Sequence, residues 1–224
     1  MRNNGLWLAA ALCLGIGLTP WGPLLLYPFT LFTTWVHECG HAVMVVLMGG
    51  SVSSITIQPD TSGLTRSLMP SGRIAQGLVA SAGYLGATVV GCFLMAATRV
   101  EKRARTILRT IGVFMLFTVV IWIRNPFGAV VVVAWGLALL ALSRKGNGRI
   151  PRFVLSVLAI QVALDAVYDI RALFFPHGGR SDADTMTGLF LAPSWLWAGA
   201  WMIISVAMLG WTLWVTRGPL ARRR

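Results

Sequence analysis

The sequence predicts an α-helical polytopic membrane protein of about six to seven transmembrane helices, with a small β-hairpin after the second. Three observations carry this. The 224 residues are 56% hydrophobic and 12% charged, with a mean hydropathy of +0.73, a composition typical of membrane bundles. The apolar residues fall in runs close to the ~20 residues a bilayer requires. The basic residues collect in the short gaps between those runs, where they set topology. A net charge of +12 placed in this way argues against a nucleic-acid partner, which needs a basic face. No length remains for a separate soluble domain. The chain reads as a single membrane-embedded unit: an N-terminal apolar segment (1–22), a motif helix, hairpin and following helix (24–98), a helical hairpin with its basic loops (99–152), and an acidic helix, loop and last span (153–216).

Seven candidate spans cover about 5–19, 24–48, 74–98, 107–123, 127–142, 153–175 and 195–216. The first is short, and Pro20, Pro23 and Pro28 interrupt the chain between it and the motif. It resembles a signal sequence without an obvious cleavage site, so a retained, a tilted and a cleaved segment all remain open. Arg124-Asn125-Pro126 turns the fourth span tightly into the fifth. Gap 99–109 carries five Lys or Arg, gap 143–152 carries four, and the tail ends in Arg222-Arg223-Arg224. The positive-inside rule makes these cytoplasmic and places the N-terminus outside. The expected setting is a bacterial plasma membrane.

Gap 49–73 differs in character. Gly49-Gly50 ends the motif helix. Residues 51–57 are β-branched and partly alternating, and Gln58-Pro59-Asp60-Thr61-Ser62-Gly63 is a turn cluster. Residues 64–68 return as a second strand. The three cysteines, Cys13, Cys39 and Cys92, lie in apolar segments without CxxC spacing, so they read as buried small residues.

His37-Glu38-Cys39-Gly40-His41 is an HExxH motif. Four residues apart on a helix, the two imidazoles share a face and can grip one zinc ion, and Glu38 can take a proton from a polarised water. Inside a span these groups cost several kcal/mol unless compensated, and a metal compensates them. The motif therefore points to peptide hydrolysis within the bilayer, with Zn2+ as cofactor and transmembrane proteins as substrates.

A catalytic zinc usually takes three protein ligands, and only seven acids are available. Glu38 is the base. Glu101 sits among basic residues, and Asp60 suits the hairpin turn. Asp165, Asp169, Asp182 and Asp184 remain, with His177 as an outsider. Asp165 and Asp169 share one face of the sixth span. One can ligate while the other orients a histidine ring, and their depth favours them over a loop. Asp182 and Asp184 follow Ser181, a good N-cap for a short helix.

These blocks, in this order, resemble the site-2 protease family of intramembrane zinc metallopeptidases, in its small bacterial, plant and fungal branch. After HExxH come Gly49-Gly50, the strand-like Val52-Ser53-Ser54-Ile55, Pro59-Asp60, Gly63-Leu64-Thr65, Ala82-Gly83-Tyr84-Leu85-Gly86, Tyr168-Asp169-Ile170 and Ser181-Asp182-Ala183. The resemblance implies that His37 and His41 ligate zinc and that Glu38 is the general base. In the wider family the third ligand is an aspartate in an LDG-type block, whereas here Ala166 follows Leu164-Asp165. Asp169, within a span, is the expected third ligand, with Asp182 as the alternative and Asp165 as the ring-orienting candidate. Strand 52–57 is expected to hold an unwound substrate by edge pairing. Two other readings stay open: a catalytically silent scaffold of the same fold, and a metal transporter. The transporter would need ligands at several depths.

Overall fold

The structure is a computed structural model that describes residues 4–145, 148–175 and 181–217. In chain order it contains α1 (Asn4–Gly17), α2 (Gly22–Leu47), β1 (Ser51–Ile57), β2 (Gly63–Leu68), α3 (Arg73–Ala97), α4 (Glu101–Ile121), α5 (Pro126–Arg144), α6 (Arg149–Ala172), α7 (Asp182–Phe190) and α8 (Ser194–Arg217). Among the described residues, α3, α4, α5, α6 and α8 are long and apolar enough to cross a membrane, so the chain is a multi-pass integral membrane protein. The first two expected spans are also helical. With 14 residues, α1 falls short of the ~20 needed. With 26, α2 reaches about 39 Å at 1.5 Å per residue, longer than the ~30 Å hydrocarbon layer.

Three expected boundaries shift. Pro23 sits in the first turn of α2, where its missing N–H costs nothing, and Pro28 is carried inside the helix. The prolines therefore leave α2 continuous from Gly22. The basic stretch expected as loop 99–109 is helical from Glu101, because Lys, Arg, Glu and Ala are all good helix formers. Helix α5 runs on to Arg144 and α6 starts already at Arg149.

The centre of the bundle is α3, packed on α2, α6 and α8, with α4 and α5 pairing as a hairpin at one side. Helix α2 approaches α3 closely because residue 40 is glycine: a Cβ there would collide with the carbonyl of Ala82. Polar side chains inside the bundle pair across helices, as they must where water is excluded. Trp35 Nε1 donates to Thr118 Oγ1 at 3.0 Å, and Thr88 and Ser205 share a 2.8 Å hydrogen bond.

Antiparallel β1 and β2 form a two-stranded sheet in which Ile55 faces Thr65 and Ile57 faces Gly63. The outer edge of β1 is occupied. Ile55 N–H donates to Trp122 C=O at 2.7 Å, and Arg124 N–H donates to Ile55 C=O at 3.1 Å. The Asn125 side chain bonds both backbone groups of Ile57. This corrects the expectation that strand 52–57 offers its edge to a substrate: the turn between α4 and α5 already holds it. Among the described residues, the edge without a ladder partner belongs to β2.

Candidate metal centre

His37 and His41 stand one turn apart on α2, with their Nε2 atoms 3.0 Å apart. Asp182 Oδ2 lies 3.4 Å from His37 Nε2 and 3.2 Å from His41 Nε2. Three ligand atoms held by metal–ligand bonds of 2.0–2.1 Å in a tetrahedron lie about 3.3 Å apart, so this triangle is one face of such a site. Among the described residues, these three form the group of His, Cys, Asp or Glu able to hold a divalent metal ion. His41 Nδ1 lies 2.7 Å from Val79 C=O. That nitrogen must carry the proton, which leaves the Nε2 lone pair directed at the cluster.

Gly83 on α3 supplies the space for an ion. A Cβ built there lands against the Nε2 atoms of both His37 and His41, so any larger residue would fill the volume a metal needs. The chemistry of the donors, two imidazoles and one carboxylate, suits a divalent ion.

Asp182 reaches the histidines because α7 is built to release it. Ser181 caps the helix: its Oγ accepts from Asp184 N–H at 3.2 Å, and Asp184 Oδ2 accepts from Ser181 N–H at 2.9 Å. Asp184 is thus spent on the capping box. Its neighbour at N1 projects elsewhere, toward α2. Buried Ala183 and Met186 pack with Ala80, Tyr84 and Ile170 and fix the short helix in place. Burial opposes charge on Asp182, but His41 and His37 more than offset it and hold the carboxyl well below the usual carboxylate range.

Glu38, buried next to His37, is held by β2. Thr65 Oγ1 lies 2.6 Å from Glu38 Oε2. Gly63 lies so near that a Cβ would come within 2.5 Å of Glu38 Oε1. The hairpin is therefore a clamp on the motif glutamate. Both face a polar cavity of about 770 Å³, lined also by His37, His41, Tyr84, Asp169 and Asp182.

The other acids take different roles. Asp169, the expected third ligand, lines the cavity from α6 but stands outside the three-atom cluster. The alternative, Asp182, completes the triangle. Asp165 bonds neither imidazole. It accepts from Thr33 at 2.7 Å and Gln161 at 2.9 Å, tying α6 to α2 one turn before His37, and the ring-orienting acceptor is instead the Val79 carbonyl. Asp60 bonds Ser62 within the turn, as its position suggested. His177 lies outside the described residues. Cys39 is buried on the side of α2 away from the cluster, among Phe32, Trp35 and Phe114.

Sequence reasoning missed Val79 outright, and it named Gly63, Thr65, Gly83 and Tyr84 only within blocks of the resemblance, without a role in the site. A glycine one residue before a polar aromatic in a small-residue helix was the available signal for Gly83 and Tyr84. Thr65 stood in the Gly63-Leu64-Thr65 block, but nothing local gives it a role, which depends on the hairpin folding back over α2.

Comparison with known proteins adds the family. No curated protein and no solved structure matches the chain. The family profile described as Peptidase M50B-like matches residues 8–212, a range that holds α2 with its two histidines, the hairpin, Gly83 and the Ser181–Asp184 cap. With nearly the whole chain matched, and with a His-His-Asp cluster inside a helical membrane bundle, the protein belongs to the Peptidase M50B-like family of site-2-protease-like intramembrane metallopeptidases.

Proposed function

We propose that the chain is an intramembrane zinc endopeptidase that hydrolyses peptide bonds of transmembrane proteins within or near the bilayer. The reading rests on one observation above the others: the triangle of His37, His41 and Asp182 stands beside a clamped Glu38 in a single polar cavity. Zinc fits the two-imidazole, one-carboxylate set, and when bound it lowers the pKa of a water and polarises a carbonyl. His37, His41 and Asp182 are the ligands in this reading, and Asp169 lines the cavity around them.

The chain's own groups do the rest. His41, its proton fixed on Nδ1 by Val79, keeps Nε2 basic. Glu38 accepts the proton of the attacking water and later delivers it to the departing amine. Thr65 and Gly63 hold the carboxylate of Glu38 so that both transfers happen from one place. A helical substrate must unwind before its amides are exposed. Antiparallel ladders alternate the direction of their backbone groups. Gly63 and Thr65, opposite residues whose groups point to the turn side, therefore turn their own toward the free edge of β2. That edge borders the cavity and suits an extended segment. The basic connections and C-terminus are cytoplasmic in this reading, the membrane is a bacterial plasma membrane, and residues 1–224 act as one unit.

The test uses purified full-length protein in detergent with a quenched-fluorescent apolar peptide. Glu38→Gln should lower kcat by about 10²–10⁴-fold and leave one metal ion per chain. Cleavage that survives both chelation and Glu38→Gln would overturn the assignment, and metal transport that survives the same change would favour a transporter.

A further inference from the structure

The motif supplies two ligands and a base, but it supplies no donor for the negative charge that grows on the substrate carbonyl oxygen. Tyr84 of α3 is placed for that task. It follows Gly83, the residue against both imidazole Nε2 atoms. Its ring meets His37 edge-on, with centroids 4.7 Å apart at 83°, and stacks on Trp201 of α8 at 5.2 Å and 24°. These contacts on two sides leave the ring little freedom. The residue is only 9% exposed, yet it lines the cavity that holds Glu38 and Asp182.

The hydroxyl is the informative atom. Among the described residues it has no hydrogen-bond partner, and it is not one of the fully buried atoms left unsatisfied, so it opens on the cavity that the residue lines. The Asp182, Asp169 and Glu38 carboxylates whose charge acts on it line the same cavity. A donor kept without a protein acceptor in such a place is available to something that enters.

The geometry points to Tyr84 as a catalytic residue: its O–H donates to the scissile carbonyl oxygen as that oxygen becomes anionic. The inference deepens the hydrolase reading and rests on it. As the water oxygen bonds to the carbonyl carbon, its proton passes to Glu38 and the carbonyl π pair moves onto oxygen. Tyr84 hydrogen-bonds that oxygen and keeps its own proton. When the C–N bond breaks, the pair returns to reform the carbonyl, and the proton on Glu38 goes to the leaving nitrogen. A rigid donor aimed at charge that exists only in the transition state raises kcat rather than ground-state affinity.

Tyr84→Phe keeps the ring, its stacking and its volume. In the purified full-length protein it should lower kcat on the quenched apolar peptide by about 10²-fold, with KM changed less than about threefold. Metal content should stay at the wild-type level. Affinity for a phosphinic-acid analogue of the same peptide, which mimics the charged tetrahedral carbon, should fall by about the same factor as kcat. A phenylalanine variant as fast as wild type overturns the role, and so does one that binds the analogue as tightly as wild type. A variant that loses metal along with activity overturns it in favour of a supporting part in the site's architecture. Wild-type protein that neither holds metal nor cleaves sinks the hydrolase reading, and this inference with it, so the two failures are distinguishable.

Discussion

Two pairs of acids approach the same cavity and end in different roles. On α6, Asp165 and Asp169 are four residues apart and share a face, the pattern expected of a ligand and its helper. On α7, Asp182 and Asp184 are two apart at a helix start, the pattern expected of ordinary capping. The carboxylate grouped with the two imidazoles, in a set able to hold a divalent metal, comes from the second pair. On α6, Asp165 spends both oxygens on Thr33 and Gln161, so it joins helices, while Asp169 faces the cavity outside the cluster. On α7 the labour is divided in reverse. Asp184 satisfies the backbone of the helix start, which frees Asp182 to leave its own helix and meet two imidazoles. A helix N-terminus also favours a carboxylate electrostatically. The lesson is that spacing shows which side chains share a face, but the use of each depends on which partner reaches it first.

The comparison can be broken most sharply at the shared volume. Gly83→Ala places a methyl group against both Nε2 atoms. It should abolish metal binding, measured by elemental analysis of purified protein, whichever acid completes the site; full metal content would mean that the ion sits elsewhere. The next largest effect is expected at the cap. Ser181→Ala removes the acceptor for Asp184 N–H and costs about 1 kcal/mol, so it should weaken metal affinity about fivefold in a competition titration with a chelator while the metal-loaded enzyme keeps its kcat. No change in affinity would show that Asp182 does not depend on the cap. On the α6 side, Asp165→Ala leaves the Gln161 amide unpaired in the bundle, at a cost of about 1–3 kcal/mol. It should lower the thermal midpoint and leave metal stoichiometry intact; loss of metal with unchanged stability would give Asp165 the role assigned here to Val79. The smallest effect is expected for Thr65→Val, which frees the Glu38 carboxylate from its clamp. A fall in kcat of about tenfold with bound metal unchanged is anticipated, and an unaltered kcat would remove the hairpin from the placement of the base.

Much of this was legible in the chain. Apolar runs located the helices to within a few residues, except at α4, where the basic segment 101–106 reads as a loop by charge and as a helix by propensity. HExxH located His37, Glu38 and His41, because a helix fixes their relation locally. Ser181 announced the start of α7. The illegible part is what depends on contacts between distant segments. Asp182 is 141 residues beyond His41 in sequence, and nothing in either neighbourhood records that the 181–190 helix folds back over α3. Depth in the membrane favoured Asp169, whereas the carboxylate grouped with the two imidazoles comes from the short helix α7. The pairing of β1 with the α4–α5 turn has the same origin: the alternating pattern of 51–57 signals a strand, but not which of its edges is taken.

The central claim is that His37, His41 and Asp182 hold one divalent ion. Metal-to-protein stoichiometry, measured side by side on purified wild-type, Asp182→Asn and Asp169→Asn proteins after dialysis against a mild chelator, tests it most directly. The account predicts about one ion per chain in the wild type and in Asp169→Asn, and almost none in Asp182→Asn. Retention by Asp182→Asn together with loss from Asp169→Asn would contradict it and return the third ligand to α6.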